Sequence, residues 1–226
     1  MSIVRSRLVD SLHYGNDPFI GFDRMDMARE PVQWDSYHKW FVEAIEDKHP
    51  SVVIEVGSFA GASAIHMATF MREKRMDSCL ICIDTWLGDR QLWTRIEHRE
   101  ALQFKFGRPE IYLAFLANVI AAGVSDYILP IPMHSTGGAR YLAKRGVTAS
   151  VIYIDGSHDE GDVYADLTLY WELLEPKGIM LIDDYVPDTN NNEMFWGLIQ
   201  DVDRFVKQRS LKLERNGRKA RIRKTG

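Results

Sequence analysis

Two apolar runs that each end in aspartate, separated by one helix-length amphipathic stretch, constrain the fold of this chain more than any other feature. Val151-Ile-Tyr-Ile-Asp155-Gly-Ser-His158 and Ile179-Met-Leu-Ile-Asp183-Asp184-Tyr185 each read as a strand buried on both faces. Between them Val163, Leu167, Tyr170, Trp171 and Leu174 recur at helical spacing. The segment from about Asp159 to Glu175 is therefore expected to be an amphipathic helix, stopped by Pro176 and Gly178. Strand, helix and strand in this order form a right-handed crossover that lays the two strands parallel and side by side. Their ends then lie roughly 5 Å apart on the carboxyl edge of the sheet, where open α/β folds bind ligands. Three carboxylates, Asp155, Asp183 and Asp184, and the imidazole of His158 arrive on one rim. Like charges at that spacing repel unless a cation lies between them, and oxygen donors suit a hard ion such as magnesium. Aspartate is also a common turn former and helix cap after a strand. It is the three at matching depth that point to a site.

The rest of the chain repeats the alternation. A helix is expected from about Gln33 to Glu46, with Trp34, Tyr37, Trp40, Phe41 and Ala44 as its apolar stripe. Strands follow at Ser51 to Val56, at the run ending in Asp84, and at Tyr127 to Ile131. Helices are expected around Ile65 to Met71, Pro109 to Ala122, Gly138 to Lys144 and Glu193 to Lys207. The connection from Trp86 to Phe106 is longer than a minimal crossover and is expected to contribute a binding wall, with Trp86, Trp93, Phe104 and Phe106 as its aromatic members; ordinary core packing is the alternative for most of them. Leu211 to Arg223 reads as two alternating strands joined by Asn216-Gly217. The expected fold is α/β: a Rossmann-like, seven-stranded, mostly parallel sheet with helices on both faces and a C-terminal antiparallel hairpin. Residues 1–33 look irregular and are expected to form a cap or lid, with the domain spanning 34–226.

A chain of 226 residues, 46% hydrophobic and 27% charged, suits one well-buried domain. The net charge of -4 gives no general footprint for nucleic acid. The basic residues of the last twenty positions, Arg215, Arg218, Lys219, Arg221, Arg223 and Lys224, alternate with Leu213, Ala220 and Ile222, and so read as the solvated face of an edge hairpin more simply than as an RNA contact. No apolar run approaches the ~20 residues that span a bilayer, and the N-terminus lacks the pattern of a signal peptide. A cytoplasmic location is expected, with no membrane partner. Cys79 and Cys82 lie in a buried-strand pattern in which residues three apart face opposite ways, so they read as small hydrophobes. The seven histidines contain no H-x-x-x-H pair.

Glu55-Val-Gly57-Ser-Phe-Ala-Gly61 follows the first strand and opens the next helix. Glycine allows a tight turn and close approach to a ligand, and a helix N-terminus offers unpaired amide donors. The spacing is not the G-x-G-x-x-G of dinucleotide enzymes, and a packing turn is the alternative. Asp84 ends the second strand, where an acid can accept hydrogen bonds from two ribose hydroxyls.

Taken together, EVGSFAG, CIDTW, IPMHS, YIDGSH, LIDDY and the final hairpin resemble the class I S-adenosylmethionine-dependent methyltransferases. More narrowly, IDGSHDEGDVYADL is similar to the corresponding segment of metal-dependent O-methyltransferases of small-molecule and sugar tailoring pathways. The resemblance covers about residues 34 to 226. It implies that Gly57, Ser58 and Gly61 hold the methionine portion of the cofactor, with Glu55 anchoring the loop or the cofactor amine. Asp84 would bind the ribose hydroxyls beside Thr85 and Trp86, and Met133 and Ser135 would flank adenine. It also implies a divalent ion, Mg2+ or another, on Asp155, Asp183 and Asp184, with Asp155 at the cofactor's edge as well. Catechol methyltransferases carry a lysine base three residues beyond the first metal aspartate; this chain has His158 there.

An imidazole suits proton removal at neutral pH, and a metal would orient the acceptor hydroxyl. Capping the following helix, or hydrogen-bonding a metal aspartate, is the other reading of His158. His134, beside the adenine loop, reads as packing. The expected acceptor is a small molecule with vicinal oxygens, a sugar or natural-product intermediate, or a catechol. A nicotinamide oxidoreductase, an RNA methyltransferase and a non-catalytic nucleotide-binding protein are the rival classes. A homo-oligomer is compatible with these residues.

Overall fold

A computed structural model of the chain describes residues 2–29, 36–94, 100–188 and 195–226. In chain order the helices are α1 (Ile3–His13), α2 (Lys39–Lys48), α3 (Ala62–Glu73), α4 (Arg90–Thr94), α5 (Ile111–Ala121), α6 (Ser135–Lys144), α7 (Asp162–Leu173) and α8 (Trp196–Arg209). The strands are β1 (Val52–Val56), β2 (Cys79–Asp84), β3 (Phe104–Lys105), β4 (Arg108–Pro109), β5 (Ile128–Pro132), β6 (Ala149–Ile154), β7 (Leu174–Ile182), β8 (Leu213–Asn216) and β9 (Lys219–Arg223). Seven strands form one sheet in the order β5-β2-β1-β6-β7-β9-β8. The first five are parallel, and β9 runs antiparallel to both β7 and β8. This is the expected mostly parallel sheet with its C-terminal hairpin.

The central strands are apolar on both faces because both are covered. Ile54, Ile81, Ile152 and Met180 share a core with Leu142, Leu167, Tyr170, Val202 and Phe205 from α6, α7 and α8. Their neighbours Val53, Leu80, Val151 and Ile179 point the other way, toward Phe41, Met67, Met71 and Phe115 from α2, α3 and α5. The register aligns the strand ends. Val56 pairs with Ile83 and with Ile154, and Ile154 pairs with Ile182. The residues that follow, Gly57, Asp84, Asp155 and Asp183, therefore stand in one row along the carboxyl edge.

Several local expectations differ from the structure. Ile3–His13 are helical where an irregular cap was expected, with Arg5, Val9 and Leu12 as the buried face of α1, whereas residues 14–29 are irregular apart from a short 3-10 turn at Met25–Met27. Arg5 hid the helical period by putting a charge in the apolar stripe. It is 1% exposed; its Nε donates to Ile128 O at 2.8 Å and its other nitrogens to Asp17 at 2.7 and 2.8 Å. Val9 and Leu12 belong to the main core.

The helix expected to reach Glu175 ends at Leu173, and β7 starts at once with Leu174 opposite Ala149. The ladder resumes only at Val151 and Ile179, so Pro176 sits in an irregularity where no ladder N–H is required.

The hairpin turn lies one residue later than Asn-Gly would place it. Asn216 pairs with Lys219, leaving Gly217 (φ 61°) and Arg218 as the loop. Because β9 is interior to the sheet, part of the basic face expected to be solvated lies against α2, while Arg215 and Arg218 are exposed as expected. Arg221 stacks 4.4 Å from the Trp40 ring centre and donates to Glu214 at 2.8 Å, while Arg223 meets Asp47 at 3.0 Å. Finally, Trp86 is core: 2% exposed, it packs on Tyr112 and Phe115. Trp93 and Phe104 do form an exposed edge-to-face pair, with centroids 4.8 Å apart, and Phe106 is exposed as well. The helix expected from about Gln33 begins only at Lys39, with His38 as its N-cap, so Tyr37 precedes it, and the one expected from about Glu193 begins at Trp196 after Phe195; Gln33, Trp34 and Glu193 lie outside the described residues.

Candidate active site

The loop after β1 is built around two requirements. At Gly57, φ is 85° and a Cβ would lie 1.9 Å from the carbonyl oxygen of Asp155, so only glycine lets the loop cross the end of β6. At the other end Gly61 (φ 94°) caps α3 against the Phe115 ring. Glu55 holds the loop from below. Ser58 Oγ and Ser63 Oγ each donate to it at 2.5 Å, and it is fully buried. Burial pushes its carboxyl up to about 7 against the two hydroxyls that favour the charged form.

Asp84 organises the next stretch, accepting from Phe59 N at 2.8 Å and Trp86 N at 2.7 Å. Burial raises its pKa and these amides oppose the rise. Trp86 Nε1 donates to Phe59 O at 2.8 Å and so ties both loops together. Thr85 Oγ1 accepts from Leu87 N at 3.2 Å. Met133 is 37% exposed just beyond β5, and Ser135 opens α6 with its carbonyl accepting from Tyr170 Oη at 2.8 Å. His134 Nδ1 lies 3.1 Å from Thr136 Oγ1. Beside α3 a cavity of about 380 Å³ is lined by Ala28, Tyr37, Ala62, Ile65, Asn118 and Ala122.

The carboxylates form two groups. Ligand atoms of Asp155, His158 and Asp184 all lie within 4.8 Å of one another. Asp183, 4% exposed, is turned inward, where its Oδ2 accepts from Lys219 Nζ at 2.6 Å and from Tyr153 Oη at 2.6 Å. Tyr153 Oη is also 2.9 Å from Asp155 Oδ2, and Lys219 Nζ is 3.2 Å from Tyr153 Oη. Asp184 stands in the left-handed region (φ 54°), its Oδ1 accepting from Arg218 Nε at 2.8 Å and its Oδ2 3.3 Å from His158 Nε2. The His158 ring packs edge-on to Phe195, and neither of its buried nitrogens has a hydrogen-bond partner of good geometry. Burial and the charge of Asp183 hold Asp155 well above the usual carboxylate range; the same two causes raise Asp184.

Three residues at this site, Tyr153, Arg218 and Lys219, were not singled out as site residues from the sequence. Tyr153 had a signal, since it lies two residues before Asp155 in a strand and must share its face. Arg218 and Lys219 depend on the hairpin register, which the one-residue shift of the turn displaced.

A parallel sheet of this order, with a glycine loop after the central strand and an acid after the next, is the class I S-adenosylmethionine-dependent methyltransferase architecture. The family model described as a methyltransferase domain matches residues 54–185, and the chain belongs to that family: it is a methyltransferase. No curated protein matches the chain by sequence. Among solved structures, the O-methyltransferase TomG from Streptomyces achromogenes, involved in tomaymycin synthesis and solved with SAM, is 15% identical, with a TM-score of 0.60 over 100% of this chain and 91% of that one. An O-methyltransferase from Bacillus cereus in complex with SAH is 12% identical, with a TM-score of 0.57 over 99% and 98%. CalS11, a TDP-rhamnose 3'-O-methyltransferase of calicheamicin biosynthesis, is 16% identical, with a TM-score of 0.57 over 97% and 92%. At these identities the likeness is one of fold. Among the described residues no helix is long and apolar enough to cross a membrane.

Proposed function

We propose that this methyltransferase is a divalent-metal-dependent O-methyltransferase. It moves the methyl group of S-adenosylmethionine to a hydroxyl of a small cytoplasmic molecule with vicinal oxygens, a sugar or natural-product intermediate. The observation that carries the reading is the grouping of Asp155, His158 and Asp184 within 4.8 Å at the same sheet edge as the Gly57 loop, whose backbone touches Asp155. The donor set fits a divalent cation: carboxylate oxygens face one another beside an imidazole whose nitrogens lack partners.

The cofactor's methionine end would lie on the backbone of Gly57, Ser58 and Gly61, with Glu55 fixing the loop through Ser58 and Ser63 and Asp155 at its edge. Asp84 with Thr85 would form the ribose position, the buried Trp86 fixing that loop through Phe59 O, and Met133 and Ser135 the adenine position. Asp155 and Asp184 would hold the metal beside His158, while Asp183, expected as a third ligand, is paired with Lys219 in the floor of the site. When bound, the metal lowers the pKa of the acceptor hydroxyl and fixes its direction. His158, whose Nε2 lies 3.3 Å from Asp184 Oδ2, would accept the acceptor's proton on a ring nitrogen that has no hydrogen-bond partner. The acceptor oxygen then bonds to the methyl carbon as the carbon–sulfur bond breaks, its electron pair returning to sulfur.

A phenolic acceptor of catechol type is the second reading. It is favoured by the exposed Trp93–Phe104 pair, which Arg90 joins to the site loop through its ion pair with Asp159 at 3.0 Å.

Alanine at Asp155 or Asp184 is expected to abolish both methylation of a diol panel and its sensitivity to EDTA. Turnover that persists unchanged in both variants would sink the proposal.

A further inference from the structure

The turn of the C-terminal hairpin brings two adjacent cations to two adjacent carboxylates: Lys219 meets Asp183, and Arg218 meets Asp184. The two pairs are built differently. Lys219 and Asp183 have side chains 1% and 6% exposed, and the ammonium also lies 5.7 Å from the Phe41 ring centre and 5.5 Å from that of Tyr153. That pair is locked into the floor of the site. Arg218 is 47% exposed, sits in a two-residue turn next to Gly217, and rests 5.1 Å over the Phe195 ring with solvent on its other side. To leave Asp184 its side chain gives up only its contact with the Phe195 ring, itself 5% exposed. Asp184 is also one of the three residues whose ligand atoms face one another. One carboxylate thus serves both an internal guanidinium and the metal position.

We propose that Arg218 is an intramolecular counter-ion that competes with the divalent metal for Asp184. The inference rests on the metal reading above. Three carboxylates would leave the rim strongly negative, and Lys219 and Arg218 offset two of those charges, so the metal-free site is held together by the chain's own cations. A divalent ion binding there displaces the guanidinium from Asp184, and its affinity is lowered by the contact it breaks. Lys219 does not compete in this way, because its ammonium and Asp183 are enclosed together and stay paired.

The test is titration of the whole chain with Mn2+, read from the loss of the free-ion EPR signal, which reports binding and not turnover. Arg218→Ala is expected to bind Mn2+ roughly fivefold more tightly than the wild type, the factor for an ion pair that is half exposed. Arg218→Gln should do the same, and Arg218→Lys, which keeps the charge, should stay within about twofold of the wild type. A merely structural role would weaken binding on removal of the side chain. Equal or weaker Mn2+ binding by Arg218→Ala, while Asp155→Asn loses binding, would overturn the competition and leave the metal site standing. Absence of Mn2+ binding in wild type and variants alike, with S-adenosylhomocysteine present, would overturn the metal reading itself and the inference with it.

Discussion

Replacing Lys219 by methionine keeps most of the side chain's length and removes its charge, and the consequence can be worked from the geometry. At 2.6 Å from Asp183 Oδ2 and an effective dielectric near 20, the attraction is about 6 kcal/mol. Taking each ion out of water costs several kcal/mol, so the intact pair is close to neutral for stability. Breaking it from one side is not. Lys219→Met leaves a carboxylate that is 4% exposed with only Tyr153 and the Asp184 amide as partners, a loss of about 3 to 5 kcal/mol. Asp183→Asn alone takes the carboxylate from a buried ammonium and is destabilising as well. The double variant Lys219→Met/Asp183→Asn removes both charges together and should lose far less than the sum, with a coupling of about 2 kcal/mol or more. Urea unfolding in EDTA at neutral pH measures all four proteins. Losses that add to within about 0.5 kcal/mol would refute the reasoning, since independent sites behave that way.

Gly57→Ala combines left-handed backbone strain of about 1 to 2 kcal/mol with a Cβ 1.9 Å from the Asp155 carbonyl oxygen; calorimetry should show a lower melting temperature and loss of S-adenosylhomocysteine binding, and normal binding would contradict the loop geometry. Glu55, raised from 4.5 to about 7 by burial, keeps its proton in the folded chain after the unfolded chain has released it. Stability is therefore full below pH ~4.5 and is lost as pH rises through about 7, by on the order of 3 kcal/mol. Glu55→Gln should flatten that part of the pH profile in urea titrations from pH 5 to 8, and an unchanged slope would assign it to other groups. Cys79 and Cys82 are buried, with Cys79 pushed up to about 12 and Cys82 raised as well. Neither should react with a thiol reagent at pH 8 until denaturant is added; fast labelling of the native protein would show that one of them is open.

The sheet was legible because its signals are local and periodic. Unbroken apolar runs, helical spacing between them and acids at their ends suffice to place Asp84, Asp155 and Asp183 at one edge, and the pairing of Val56, Ile83, Ile154 and Ile182 aligns them in the structure. Features set by tertiary partners were hidden. Arg5 is buried in a helix only because Asp17 and the Ile128 carbonyl wait for it, and no period in the sequence records that. The basic face of β9 looked solvated because nothing local says that β8, not β9, would be the edge or that α2 would lie over it. A one-residue difference in the turn decided which cations reach the carboxylates, since side chains alternate with a period of two. The inward turn of Asp183 toward Lys219 follows from that register.

Mass spectrometry of products formed from S-adenosylmethionine carrying a CD3 group, over a panel of sugars and catechols with and without EDTA, tests the central claim most directly. The expected result is CD3 transfer to a hydroxyl of a vicinal-oxygen acceptor that EDTA abolishes and added Mg2+ or Mn2+ restores. Transfer that EDTA leaves untouched, or transfer only to an atom other than oxygen, would contradict it.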